Sequence, residues 1–83
     1  MLFRFGYPGF HAIWMRNMNF PIDAIWLDED GIVVSVKEGL KPCHSSIFSC
    51  PQYSPTKEAS YLIEVNAGDV KKKKIKTGSK ARH

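Results

Sequence analysis

The sequence predicts a mostly β domain of the α+β class, with one short helix near its C-terminus. Three observations lead to this prediction. Apolar and polar residues alternate along several short segments with the period of two that is typical of strands. Turns that contain glycine or proline separate these segments. Only the lysine-rich segment after residue 66 begins with capping residues and places its lysines late, as suits a helix dipole.

The length of 83 residues predicts a single domain over 1–83 with one thin core, burying roughly 60–65% of the unfolded surface. Hydrophobic and charged contents of 43% and 24% are ordinary for a soluble globular protein and argue against disorder. A membrane span needs roughly 20 apolar residues, and the apolar runs are far shorter. Residues 1–5 lack the features of a signal peptide, so the default expectation is a cytoplasmic protein.

The N-terminal half reads as four strands. Residues 2–5 form the first, and residues 10–16 form a second strand that is apolar on both faces and is therefore expected to be covered on both sides. After a connection at 17–21, residues 22–28 form the third strand, which places Ile22, Ala24 and Trp26 on one face and Asp23, Ile25 and Leu27 on the other. A hairpin turn at 28–31 leads into the fourth strand, residues 32–37.

The C-terminal half is less regular. Residues 38–58 are rich in serine and proline and predict a long loop, which in a compact domain is either functional or cross-linked. A strand at 61–65 follows. Asn66 or Gly68 then caps a helix that runs through the lysines and stops at Thr77-Gly78. Residues 79–83 are expected to form a frayed last strand.

The net charge of +4 has an uneven distribution. Residues 71–83 carry seven of the twelve bases and no acid, so residues 1–70 hold five bases against eight acids, a net charge of −3. This basic tail could bind a polyanion or a membrane surface through Lys71–Lys74, although a solvated charge run is the default interpretation. Nucleic acid is not expected as a partner, because the tail has no aromatic residues for base stacking.

Several motifs together resemble the domain-of-unknown-function 192 family over nearly the whole chain. These are Trp14-Met15-Arg16-Asn17, Phe20-Pro21-Ile22-Asp23, Ile25-Trp26-Leu27-Asp28, the run from Tyr61 to Gly68, and the ending Ile75-Lys76-Thr77-Gly78. The resemblance implies a compact, barrel-like antiparallel sheet and supplies no activity. Family members usually carry a further N-terminal segment, so it also implies that this chain lacks that segment.

Asn17 and Asp23 are the polar residues most suggestive of a site, because they flank the connection between two apolar strands. Asp23 shares its face with apolar residues, and a buried carboxylate must find hydrogen-bond donors. One interpretation is that both side chains hold the irregular 17–21 backbone. The alternative is a ligand-binding cluster of Arg16, Asn17 and Asp23, with Arg16 as the partner of an anion.

Catalysis is disfavoured. His11 lies six residues from Asn17 along a strand, about 20 Å away and outside the range of proton transfer. No serine or cysteine lies in a nucleophile elbow, and no glycine-rich phosphate loop is present in the sequence. We therefore expect neither catalytic residues nor a cofactor.

Cys43 and Cys50 lie in the long loop and could form a disulfide, remain thiols, or supply half of a metal site with His44 and His83. Zinc sites commonly use closely spaced ligand pairs, so the spacing disfavours metal. A disulfide would stabilise the fold by about 2.5 kcal/mol by chain entropy. The acidic turn at 28–30 lacks the spacing of a calcium loop.

These observations favour a non-enzymatic binding or accessory module. Its site would be the end of the domain that carries residues 17–23, with the cysteine loop, and its partner a small molecule or a protein. The first alternative is polyanion or membrane-surface binding through the basic tail, and the second is a thiol-redox or metal role of the cysteines. We expect the chain to be monomeric.

Overall fold

The computed structural model describes residues 1–15, 18–43 and 50–80. It contains six strands and one helix within these ranges. The elements are β1 (Leu2–Gly9), β2 (Ile13–Trp14), β3 (Ile22–Leu27), β4 (Val33–Leu40), β5 (Gln52–Tyr53), β6 (Ala59–Asn66) and α1 (Asp69–Lys72).

The main sheet has four antiparallel strands in the order β1-β6-β3-β4, and β2 pairs with β5 in a separate two-stranded sheet. Strands β1 and β4 are the edges of the main sheet, so the described strands do not close into a barrel. The mostly β class with one short helix near the C-terminus is confirmed. The central position of β3 decides where the core lies.

Strand β3 is buried on both faces, since all six of its residues are buried. Its first face contributes Ile22, Ala24 and Trp26 to one apolar cluster, which also contains Met15, Leu40, Ala59 and Leu62. The β2-β5 layer covers this face, because Ile13 and Tyr53 pack against the cluster.

The second face of β3 contributes Ile25 and Leu27 to another cluster, together with Val33 and Val70. Val70 is the buried residue of α1, and Ile75 packs against the cluster just after the helix. The alternation predicted for residues 22–28 therefore sorts the side chains between two cores.

Several elements differ in length from the sequence prediction. Strand β1, predicted at 2–5, continues to Gly9. Of the strand predicted at 10–16, only Ile13–Trp14 is regular among the described residues, and the strand covered on both sides is β3 instead. Strand β4 continues to Leu40, and β5 lies inside the stretch predicted as a loop. These differences arise because long-range pairing, and not local apolar content, decides which segment becomes a strand.

Helix α1 is a single turn and ends well before Thr77-Gly78. Lys74 adopts a left-handed conformation with φ of 56°. The amide of Lys74 donates to Lys71 O and that of Ile75 to Val70 O, at 3.2 and 2.9 Å. This is the hydrogen-bond pattern of a Schellman motif, with Val70 and Ile75 as its apolar pair.

The chain after the helix returns along β4. Val33 N donates to Ser79 O and Gly78 N donates to Val33 O, both at 2.8 Å, and Lys80 forms an isolated bridge with Ile32. The frayed strand predicted at 79–83 thus begins with one bridge, and residues 81–83 lie outside the described part of the chain. Within the described residues, no helix has the length and apolar character to cross a membrane.

Candidate functional site

The most connected polar group is the Asp23 carboxylate at the start of β3. Its side chain is fully buried. Oδ1 accepts the backbone N–H of Gly39 at 2.8 Å, and Oδ2 accepts those of Gly68 and Val70 at 2.9 and 3.1 Å. One carboxylate thus ties β3 to the end of β4 and to the turn that joins β6 to α1.

Two of these donors belong to glycines whose backbone requires glycine. Gly39 has φ of 65° and Gly68 has φ of 96°, a region that other residues seldom adopt. Gly39 lies where the β3-β4 register shifts between the pairs Ile22–Leu40 and Ala24–Lys37. The resulting bulge turns the Gly39 amide toward Asp23.

Asp23 also caps the start of α1. Gly68 is the N-cap residue and has no side chain to accept an amide. The bond from Val70 N to Asp23 Oδ2 replaces the side-chain cap that a serine or aspartate usually provides. The carboxylate is fully buried, so a ligand could reach it only if the surrounding backbone moved.

A pocket of about 230 Å³ opens at the same end of the sheet, next to the connection between β2 and β3. Its apolar walls include Met18, Phe20 and Ile22, and its polar groups are Glu64, Asn66 and the N-terminal ammonium of Met1, which donates to Glu64 O. Phe20 is 54% exposed, which makes it an open wall of this pocket rather than part of the core. We call this cavity the end pocket.

Glu64 is the acidic group of the end pocket. It pairs with Ala24 across the β3-β6 ladder, and its side chain is half-buried. Burial raises the pKa of the Glu64 carboxyl above its ordinary value, while the positive charge of the N-terminus opposes part of this change. A carboxyl with a raised pKa inside a pocket is a common property of binding and catalytic sites.

The ladder brings Asp23 and the end pocket together. Ile22 pairs with Asn66 and Asp23 pairs with Val65, so all four residues lie at one end of the sheet. Asp23 belongs to one face together with Val65, whereas Ile22, Glu64 and Asn66 of the pocket belong to the other. None of the three described bonds of Asp23 goes to the 17–21 backbone, because its partners are Gly39, Gly68 and Val70.

Arg16 and Asn17 lie outside the described residues. The residues on either side of them are described. Met15 is buried in the first core, and its carbonyl accepts the amides of Met18 at 3.3 Å and Cys43 at 3.0 Å. Met15 thus connects the end pocket, through Met18, to the beginning of the cysteine loop.

His11 lies apart from this end and makes local contacts. Its Nε2 is 2.9 Å from Tyr7 O, and its ring stacks on Phe5 with centroids 3.9 Å apart. Its carbonyl accepts the indole N–H of Trp26 at 2.9 Å. These contacts fix the segment before β2 on the first core.

Cys43 and Cys50 are joined in a disulfide with Cα atoms 5.8 Å apart. Cys50 is buried, and Cys43 packs against the first core, so the bridge anchors both ends of the segment between them. Neither sulfur is a thiolate in this state. Among the described residues no three His, Cys, Asp or Glu side chains form a metal-binding group, and His44 and His83 fall outside them.

The other charged groups, the lysines in and after α1 and the acidic hairpin, lie at the surface. Lys71, Lys72, Lys73, Lys74 and Lys76 are all exposed. In the acidic hairpin, Asp28 Oδ1 accepts the amides of Asp30 and Ile32, both at 2.9 Å. This carboxylate therefore stabilises its own turn.

Sequence reasoning missed Glu64, Gly39 and the amide partners of Asp23. Glu64 is the acidic residue in the apolar run of β6, a pattern that marks a half-buried carboxyl. Gly39, inside a stretch predicted as loop, carried the signal of a left-handed position. Nothing local in the sequence joins either glycine to Asp23.

Two solved structures share this fold. A protein from Sinorhizobium meliloti 1021, provisionally described as a transcription regulator, matches with a TM-score of 0.85 and 30% identity over 96% of this chain and 58% of its own. A protein of unknown function from Novosphingobium aromaticivorans DSM 12444 matches with a TM-score of 0.84 and 25% identity, over 96% of this chain and 54% of its own.

The chain thus spans little more than half the length of these two proteins. A search among curated proteins found no match. The sequence pattern of DUF192, a family described as an uncharacterised ACR, matches residues 1–83, the whole chain. Because this match covers the whole chain, it shows that the chain belongs to the DUF192 family.

Proposed function

We propose that this domain is a non-enzymatic binding module whose ligand occupies the end pocket. Its ligand is a small molecule, or a side chain of a protein, that has an apolar body and a hydrogen-bond donor. Phe20 and Met18 contact the apolar part, and Glu64 accepts the donor. Arg16 and Asn17, the neighbours of Met18 in sequence, bind any anionic group of the ligand. Asp23 positions the surrounding backbone.

The observation that carries this proposal is the composition of the pocket. A cavity with apolar walls and a few polar groups at fixed positions is the usual form of a ligand site. Here the half-buried Glu64 and Asn66 line a cavity of about 230 Å³ together with Met18 and Phe20. An exposed aromatic wall such as Phe20 is available to pack against a ligand.

The rigid frame around the pocket also supports binding. The three backbone N–H groups that donate to the Asp23 carboxylate, and the ladder pairs of β3 with β6, hold this end of the sheet in one geometry. A preformed site loses less conformational entropy when a ligand binds. Asp23 therefore acts indirectly. Replacing Asp23 should lower stability, whereas replacing Phe20 should weaken ligand binding.

A thermal-shift screen against metabolites, sugars and metal ions tests the proposal. A ligand present at 100 times its Kd should add about 2.7 kcal/mol to the unfolding free energy. Phe20→Ala and Glu64→Gln should remove the response to that ligand.

The matched control is Phe10→Ala, because Phe10 is 58% exposed and does not line the end pocket. It should leave the response intact. A broad screen without any response, or a response that Phe10→Ala removes as fully as Phe20→Ala, would refute the end pocket as the binding site.

A second candidate function is polyanion binding through the lysines of α1 and the residues after it. Its support is the presence of four exposed lysines, Lys71, Lys72, Lys74 and Lys76, within six residues of chain. Each lysine near an anionic surface contributes about 1 kcal/mol. The lack of aromatic residues for base stacking argues against single-stranded nucleic acid, but duplex DNA is bound through its phosphates. Because the S. meliloti relative is described as a transcription regulator, duplex DNA is the first polyanion to test.

Salt titration separates the two candidates. Binding through the lysines should weaken steeply with ionic strength and disappear in the variant Lys71→Gln/Lys72→Gln/Lys74→Gln/Lys76→Gln. Fluorescence anisotropy with labelled duplex DNA, and sedimentation with anionic vesicles, would measure it. Affinity that persists in the quadruple variant would exclude this surface.

A further inference from the structure

We propose that the second face of the main sheet carries a separate binding site for an amphiphilic anion, a molecule with an apolar chain or ring and one carboxylate or sulfonate. The site is a pocket of about 340 Å³ between the sheet and the segment that contains α1 and Lys80. We call it the face pocket. It shares only Val65 with the lining of the end pocket, so the proposal stands independently of the function proposed above.

The floor of the face pocket is apolar. Ile25 and Leu27 of β3 and Ile63 and Val65 of β6 form it, and Ile75 closes one side. Ile25 and Leu27 are each only 3% exposed, while Ile63 and Val65 are half-buried. The side chains of β6 on this face are therefore covered less completely than those of β3, which leaves an apolar surface for a ligand to cover.

The rim of the face pocket is polar and mainly cationic. Lys73, Lys80 and Ser79 lie on it together with one acid, Asp69. Asp69 is one helical turn before Lys73 and offsets part of its charge. The whole covering segment, residues 69–80, holds six lysines against this single acid, so its electrostatic potential favours an anion.

The neighbouring surface indicates how such a ligand would lie. Leu27 and Lys80 also line an adjoining pocket of about 270 Å³ that contains Leu2, Tyr61 and the acidic residues Glu29 and Asp30. An anionic group would be repelled there. The head group therefore belongs at Lys73 and Ser79, and the apolar chain extends over Ile63 toward Leu27.

The occupant follows from this arrangement of charge. A purely apolar ligand would leave the lysines unused, and a compact inorganic anion would leave the apolar floor exposed to water. A molecule that combines both properties covers the floor and pairs its charge with Lys73. The volume lies within the range of small-molecule sites.

The test uses 8-anilinonaphthalene-1-sulfonate as a fluorescent probe, with decanoate and decanol as competitors on the intact chain. The probe should bind with a stoichiometry of one, and decanoate should displace it. Lys73→Gln should weaken probe binding about fivefold. Ile63→Phe, which fills the pocket, should abolish it, and circular dichroism would verify that the variant is folded.

Two controls make the result decisive. Lys72→Gln removes a lysine of the same helix that does not line the face pocket and should change affinity less than twofold. Phe20→Ala, in the end pocket, should have no effect. Equal displacement by decanol and decanoate, an equal loss in Lys72→Gln and Lys73→Gln, or unchanged binding in folded Ile63→Phe would each overturn the proposal.

Discussion

The two faces of the central strand β3 are both buried, but they are covered by different kinds of structure. The first face packs under the β2-β5 layer, with Trp26 and Met15 at its centre and the Cys43–Cys50 disulfide at its margin. The second face is covered by one helical turn and Ile75, and it retains a pocket of about 340 Å³. A short covering segment can bury β3 but cannot also cover β6.

The two faces therefore differ in what they contribute: the first stabilises the fold, and the second leaves apolar surface uncovered. The first face carries most of the large, fully buried side chains, so we expect it to contribute most of the hydrophobic stabilisation. The cover of the second face is held in place by the backbone N–H groups of Gly68 and Val70, which donate to the Asp23 carboxylate, and apolar surface stays open beside it. The following predictions test this comparison, from the largest expected effect to the smallest.

Leu62 and Ile63 are adjacent on β6 and point to opposite faces. Leu62 is 1% exposed in the first core, whereas Ile63 is half-buried on the second face. Leu62→Ala should lower the unfolding free energy by about 3.5 kcal/mol and Ile63→Ala by only about 1 kcal/mol, because less area is lost. Urea denaturation measures both values. Equal losses would show that the two faces are equally packed.

If Leu62→Ala is too unstable to measure, Leu62→Val provides the same comparison on a smaller scale. It should cost about 1 kcal/mol, the usual penalty for deleting one buried methylene. Ile63→Val should then cost clearly less.

Asp23→Asn should lower the unfolding free energy by about 3 kcal/mol, because an amide group would face backbone N–H donors that now meet a carboxylate oxygen. Hydrogen exchange should show the loss first at Gly39, Gly68 and Val70. The control is Asp30→Asn on the exposed hairpin, which should change stability by less than about 0.5 kcal/mol. Similar losses of stability in Asp23→Asn and Asp30→Asn would show that Asp23 has no special structural role.

The double variant Cys43→Ser/Cys50→Ser should lower the unfolding free energy by about 2.5 kcal/mol, since the unfolded chain regains the entropy of the closed loop. Reduction of the unaltered chain should give a similar loss, while the reductant should not affect the double variant. A double variant as stable as the parent would show that the bridge does not support the first face.

Glu64 should make stability depend on pH. Its pKa is raised by burial in the folded state, so the folded chain binds the proton more tightly than the unfolded chain does. Stability should therefore fall as pH rises from the ordinary glutamate pKa through the raised value. Urea denaturation between about pH 4 and about pH 7 should show this decline in the parent but not in Glu64→Gln. Parallel profiles of stability against pH for the parent and Glu64→Gln would contradict this prediction.

Lys74→Gly should raise stability by about 0.5 kcal/mol. A left-handed conformation is costly for lysine and free for glycine, although glycine also gains entropy in the unfolded chain. Lys72→Gly, inside the helix, should instead lower stability by about 1 kcal/mol. Thermal denaturation would distinguish the signs. Destabilisation by both would show that the end of α1 is not the Schellman turn described here.

Much of the fold could be predicted because its signals are local. The alternation in residues 22–28 and 61–65 predicted which side chains share a face, and the hairpin at 28–31 followed from its turn residues. The length of the second strand and of the helix could not be predicted. Residues 10–16 are apolar enough for a strand, yet their partner β5 is only two residues long.

The candidate site was predicted only in part. Asp23 stood out as a carboxylate on an apolar face, which implied burial and hydrogen-bond donors. Its donors lie 16, 45 and 47 residues away in sequence, so no local pattern could identify them. The half-buried state of Glu64 depended on the connection at Met18 and Phe20, which closes the end pocket from another part of the chain.

The sequence by itself determined the family, the mostly β class and the division of β3 between two faces, because these depend on motifs and on a period of two along one strand. Only the tertiary structure decided that a buried carboxylate would cap a distant helix, that the sheet would stay open, and that one face would be covered by a single helical turn. These properties depend on which distant segments come into contact, and chain packing alone sets those contacts.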